Sequence, residues 1–134
     1  MTTKKFAAAA VALLTVTGTI AADKPQQQGA EMKTIANDTR IFRIRPEIKA
    51  SDIRFSNRFG ITLAGHLYLP QGFDPAKKYT AVAVCGPFGA VKEQSSGLYA
   101  QELAARGFVA LAFDPSYTGE SSGEPRYVAS PDIN

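Results

Sequence analysis

From Ser51 onward the apolar residues fall into two kinds of run. Ile53 and Phe55, and then Ile61, Leu63, His66, Tyr68 and Leu69, form two strand-like segments. Between them stands Asn57-Arg58-Phe59-Gly60, residue types that favour a tight turn, so the pattern predicts a β-hairpin closed by Pro70. Tyr79 to Cys85, polar only at Thr80, and Phe108 to Phe113 are continuous apolar runs, the pattern of strands buried on both faces of a parallel sheet. A glycine-containing loop, 86–97, follows the first of these. Leu98, Leu103 and the alanines then give Leu98 to Arg106 one helical face, and Gly107 suits the residue just past a helix end. Strand, helix and strand predict one βαβ unit, so a sheet that starts antiparallel turns parallel. Residues 115–134 carry Gly119, Gly123, Pro125 and Pro131 and predict loop, so the chain is expected to stop in mid-architecture.

The first residues follow a different logic. Met1 to Lys5 are a short basic start, Phe6 to Val16 an apolar run, and Gly18 to Ala22 a small-residue stretch with Thr19 and Ala21 placed for cleavage. This predicts a secretory signal peptide over 1–22 and an exported protein, periplasmic or secreted in a bacterial host. The apolar run is short of the roughly 20 residues that a membrane span needs, so no membrane association is expected after cleavage. Residues 23–50, with Pro25, three glutamines and Pro46, lack a sustained period and are expected to be a polar linker or arm. Arg40, Arg43, Arg45 and Lys49 then read as solvated charge. Residues 51–134 remain as one partial α/β domain.

Composition narrows the function. The formal net charge is +3, of which Lys4 and Lys5 in the leader supply two, so no basic face for nucleic acid is expected. The single cysteine, Cys85, forms no intramolecular disulfide and is expected as a small buried hydrophobe on its strand. One histidine and one cysteine at unrelated positions make no zinc site, and no metal or cofactor is predicted. His66 is expected to be a satisfied strand residue.

Val84 to Asp114 carries the most specific signal, centred on Gly86-Pro87-Phe88-Gly89-Ala90-Val91-Lys92-Glu93-Gln94. It resembles the third strand, oxyanion-hole loop, first helix and fourth strand of α/β-hydrolases of the dienelactone hydrolase and xylan esterase branch. The similarity extends upstream to Gly65 and Pro70, and downstream through Gly119-Glu120-Ser121 to about Asp132. Gly86 departs from it, since His is common there. The resemblance implies the amino-terminal half of an α/β-hydrolase fold, acting in the complete domain on a small-molecule ester or other acyl substrate. It also implies that the nucleophile, Ser or Cys, and the acid and histidine lie outside this chain, which alone would be inactive. In acyl transfer, preorganised backbone N–H groups stabilise the tetrahedral intermediate, one of them from this loop. Pro87 has no N–H, so the donor is expected to be Phe88, with Gly89 giving the turn its freedom. Gly89 and Tyr99 are the candidate substrate contacts. Lys92 and Glu93 read as solvated charge or as an anchor for the loop.

Gly119-Glu120-Ser121-Ser122-Gly123 matches the nucleophile-elbow pattern, but an elbow stands directly between strand and helix. Here the strand has ended by Asp114, and the only histidine lies upstream, so Ser121 reads as a loop residue. Two other readings compete. One is a non-catalytic half-domain that binds a ligand or partner. The other is a Rossmann-like nucleotide unit, which the presence of only Gly86 and Gly89 and a long strand-to-helix loop disfavour.

Overall fold

The computed structural model describes residues 31–33 and 38–133. Its elements are β1 (Glu31–Lys33), β2 (Lys49–Ser56), β3 (Thr62–Leu69), β4 (Ala81–Cys85), α1 (Ser95–Ala105) and β5 (Val109–Phe113). They form one sheet in the order β1-β2-β3-β5-β4. The β2–β3 hairpin pairs Lys49 with Leu69 through Ser56 with Thr62. Its turn is closed by Asn57, whose Oδ1 accepts the N–H groups of Phe59 and Ile61 while Gly60 takes a φ of 75°. β5 lies antiparallel to β3 and parallel to β4, with α1 as the crossover between the parallel pair. Antiparallel hairpin and parallel βαβ unit thus meet at β5, as the run pattern predicts. A mononucleotide-binding half would instead need parallel neighbours on both sides.

The helix rests on the sheet through small residues. Ala100 and Ala104 of α1 meet Tyr68, Ala110 and Ala112, with Ile48 beside them and Phe42, Ile44, Ala50, Val84 and Leu103 packed around. Alternate positions on β3 and β5 share this face, because Tyr68 pairs with Ala110 and His66 with Ala112. The helix starts three residues before the predicted Leu98. Gly97 lies inside it, where a Cβ would meet Lys92 O, Phe42 Cζ at 2.9 Å and Tyr68 Oη at 3.0 Å. That glycine serves close approach and not a loop. It also turns the helix so that Ser96, Gly97, Ala100, Gln101 and Ala104 face inward while Leu98 is exposed. At the other end Gly107, at φ 92°, donates to Ala104 O and Phe108 N–H to Leu103 O, the expected helix stop.

Two expectations fail on β4. Its residues alternate between exposed and partly buried, and Cys85 is exposed. The cause is position: among the described residues β4 is an edge strand, and α1 covers only one face of it. Within the stretch expected as linker or arm, 31–33 form β1 and pair with β2, 49–50 belong to β2 itself, and 38–48 lie against the core through Phe42, Ile44 and Ile48. Arg45 is exposed, as expected of solvated charge, and pairs with Glu102 of α1 at 2.6 Å; the Arg40 side chain departs from that expectation, being buried with its Nε donating to Tyr68 Oη at 3.3 Å.

Candidate functional site

The loops that leave the carboxyl ends of β4 and β5 lie side by side, the place where open α/β sheets put their ligands. In the first loop Ala90 N–H donates to Pro87 O at 3.0 Å, closing a turn over Pro87-Phe88-Gly89-Ala90. Gly89 adopts a φ of 82°, the left-handed conformation that the third position of a type II turn requires. Phe88 is 68% exposed, and its N–H takes no part in the bond that closes the turn. Phe88 and Gly89 therefore share one turn. Tyr99 stands apart, exposed on α1.

Beyond the turn the chain dives inward. Gln94 N–H and Ser96 Oγ both donate to Val91 O, and Lys92 becomes 1% exposed. Solvated charge was one expectation for Lys92; burial against carboxylates replaces it. Its Nζ lies 2.6 Å from Glu93 Oε1, 3.1 Å from Asp114 Oδ2 and 3.2 Å from Glu120 Oε2. Its backbone N–H donates to Asp114 Oδ1 at 2.7 Å. Burial alone would push the ammonium down, but the bonds to Glu93 and Asp114 outweigh it and hold Lys92 above its ordinary pKa. Removing the Lys92 cation should cost about 3–5 kcal/mol, because the buried Asp114 carboxylate would be left without an ion-pair partner among the described residues.

His66, on β3 opposite Asp52, is 4% exposed. Its Nε2 lies 3.2 Å from Asp52 Oδ1 and 3.9 Å from Glu93 Oε1. Among the described residues Nδ1 has no hydrogen-bond partner, so the histidine is less fully satisfied there than its strand position predicts. Burial, reinforced by the Arg40 and Lys92 cations, lowers its pKa to about 4, and it is neutral at pH 7. Burial raises the Asp52 carboxyl, against the pull of Arg40. Asp52, Lys92 and Glu120, with Ile53, Arg54, Ala64 and Gly65, line a cavity of about 240 Å³. Phe88, Gly89 and Tyr99 do not line it.

Ser121 is buried in the second loop. Its Oγ donates to Asp114 O at 2.8 Å and accepts from Ala64 N–H at 2.9 Å. With Ser122 N–H donating to Thr62 O, it ties the loop back along β3. No helix follows it among the described residues, so the elbow pattern is a coincidence of letters. Among the described residues no group of three or more His, Cys, Asp or Glu is arranged to hold a metal ion.

No family model matches the chain. It is 60% identical over 93 residues to the uncharacterized protein PA2218 of Pseudomonas aeruginosa, covering 69% of this chain and 25% of that protein. It is 47% identical over 78 residues to the uncharacterized protein YcjY of Escherichia coli, covering 58% and 26%. The chain thus spans about a quarter of the length of the curated relatives it matches. Among solved structures, hypothetical protein PA2218 superposes with a TM-score of 0.71 at 54% identity, over 78% of this chain and 32% of that one. Acetyl xylan esterases from Paenibacillus and Thermoanaerobacterium give TM-scores of 0.57 and 0.56 at 17% and 16% identity. They match 80% and 82% of this chain and 31% of each esterase. The mixed sheet with its single crossover helix is the corresponding part of an α/β-hydrolase fold.

Proposed function

We propose that this chain supplies one wall of an acyl-hydrolase site, with the Phe88 backbone N–H as an oxyanion donor. The observation that carries this is the Pro87–Ala90 turn, which spends Ala90 N–H on its own closure and keeps Phe88 N–H out of it at the carboxyl end of β4. A carbonyl oxygen seated against that N–H gains little in the ground state. It gains more as negative charge develops on it, and a donor held by a turn needs no reorganisation at that moment. Gly89 lets the turn form, and Tyr99 is the candidate contact for the rest of the acyl substrate. The nucleophile, its histidine and the orienting acid come from further residues of the whole protein, in keeping with relatives about four times as long as the stretch they share. The preferred substrates are small-molecule esters or related acyl compounds, as the motif over 84–114 suggests, in an exported protein freed of residues 1–22.

The test is a chimera that continues this chain with the remaining residues of PA2218, assayed on short-chain nitrophenyl esters and lactones. Hydrolysis is expected, and Phe88→Pro, which deletes the donor, should lower kcat by about 10² to 10³. A folded chimera that cleaves no acyl substrate, or a Phe88→Pro variant at full rate, refutes the proposal.

A further inference from the structure

The loop that carries Phe88 has no ladder of its own, so something else must hold it. Asp114, the first residue past β5, is 0% exposed and receives three hydrogen bonds from two loops. Lys92 N–H reaches Oδ1 at 2.7 Å, while Lys92 Nζ at 3.1 Å and Glu120 N–H at 3.0 Å reach Oδ2. The backbone of Asp114 is itself fixed to the sheet, since its N–H donates to Ala64 O at 2.9 Å and its carbonyl accepts from Ser121 Oγ. The second loop wraps the carboxylate so closely that a Cβ on Gly119 would collide with Asp114 Oδ2, and Gly119 takes a φ of 53°. Lys92 lies two residues beyond Ala90, whose N–H closes the Phe88 turn.

We propose that the Asp114 carboxylate is a positioning residue, which couples the loops after β4 and β5 and thereby fixes the Phe88 turn. As a role in catalysis this rests on the acyl-hydrolase proposal above. Asp114 reaches no substrate; it acts through Lys92 on the turn and through Glu120 on the facing loop. Its chemistry suits the task, because an ionised carboxylate accepts several charge-assisted bonds at once and a neutral side chain of the same shape does not.

The test is amide hydrogen exchange, followed by NMR on the full chain and on Asp114→Asn. The asparagine keeps the shape but turns an NH₂ group toward donors. Exchange at Ala90, Lys92 and Glu120 should quicken about 10-fold or more, with less than about a twofold change across the β2–β3 ladder. Packing alone would be preserved by the isosteric residue, so unchanged exchange at Ala90 overturns the proposal, as does uniform acceleration of loops and ladder. Should Asp114→Asn fail to fold, exchange of the unsubstituted chain in rising urea decides. Ala90, Lys92 and Glu120 should open as one unit below the urea that opens the hairpin, and independent opening of Ala90 overturns the proposal. Exchange reads geometry without substrate. Loop coupling that persists in a chimera without ester hydrolysis would therefore sink the acyl-hydrolase proposal and leave the clamp standing.

Discussion

Acid should destabilise this fold through His66 as the pH falls below about 6.5. Burial and the nearby Arg40 and Lys92 cations lower its pKa from 6.5 to about 4, so the folded state refuses a proton that the unfolded chain takes up below pH 6.5. Stability is therefore fully present above about pH 6.5 and falls as the pH drops toward 4. At pH 5 the linkage amounts to at most about 2 kcal/mol, because each tenfold difference in proton affinity between the folded and unfolded chain is worth about 1.36 kcal/mol. Two effects reduce it. Solvent near the partly exposed Asp52 side screens the site, and Asp52, raised by burial, favours the folded state as it takes up its own proton. About 1–2 kcal/mol remains, or a drop of about 1 M in the urea midpoint between pH 7 and pH 5. Far-UV circular dichroism at constant ionic strength measures it, with His66→Gln as the control that cannot titrate. The wild-type midpoint should fall and that of His66→Gln should stay nearly level over the same range. Parallel losses in the two proteins, or an imidazole that titrates near 6.5 by NMR, would refute the reasoning.

Other perturbations follow from the packing. Gly97→Ala should cost about 1–3 kcal/mol in urea unfolding, because the new methyl meets the backbone carbonyl of Lys92 and two side-chain atoms; a neutral result would mean that α1 can lift from the sheet freely. Ser121→Ala strands Ala64 N–H and Asp114 O and should cost about 1–3 kcal/mol, yet leave ester turnover by the PA2218 chimera nearly unchanged. Loss of turnover with the fold intact would restore Ser121 as a nucleophile. Intact-mass measurement of the protein expressed in a bacterial host should give a chain starting near Ala22 or Asp23, and recovery of Met1 would count against the leader.

The hairpin and the crossover helix were legible because each rests on local pattern, whereas β1, at the edge of the sheet, falls in the stretch expected as linker or arm. Asn57 and Gly60 mark a turn in any context, and two continuous apolar runs flanking a helical segment admit few topologies. What pattern does not carry is which face of an element meets a neighbour. Leu98 and Leu103 anchor the stripe that periodicity predicts. The tight approach at Gly97 leaves Leu98 exposed, while Leu103 packs beside the core and Ala100 and Ala104 face inward. The same limit applies to Cys85, since an apolar strand is buried on both faces only where something covers both.

Of the candidate site, only the turn was legible. The proposed role of Phe88 rests on the resemblance over 84–114, within which Pro87 lacks an N–H, Phe88 has one and Gly89 is able to turn. Lys92 and Asp114 stand 22 residues apart, and nothing in either neighbourhood announces the other. A lysine in a polar loop is ordinarily solvated, and an aspartate after an apolar strand ordinarily begins a turn. One signal was available, since both charges adjoin segments that must be buried: Asp114 follows five β5 residues, and Lys92 stands three residues before α1. Charges forced to the rim of a core seek opposite partners there, because burying either one alone costs more than the pair. Opposite charges at the ends of adjacent buried elements are thus grounds to expect a cross-loop ion pair from sequence, and in this chain the pair bears on the turn that presents Phe88.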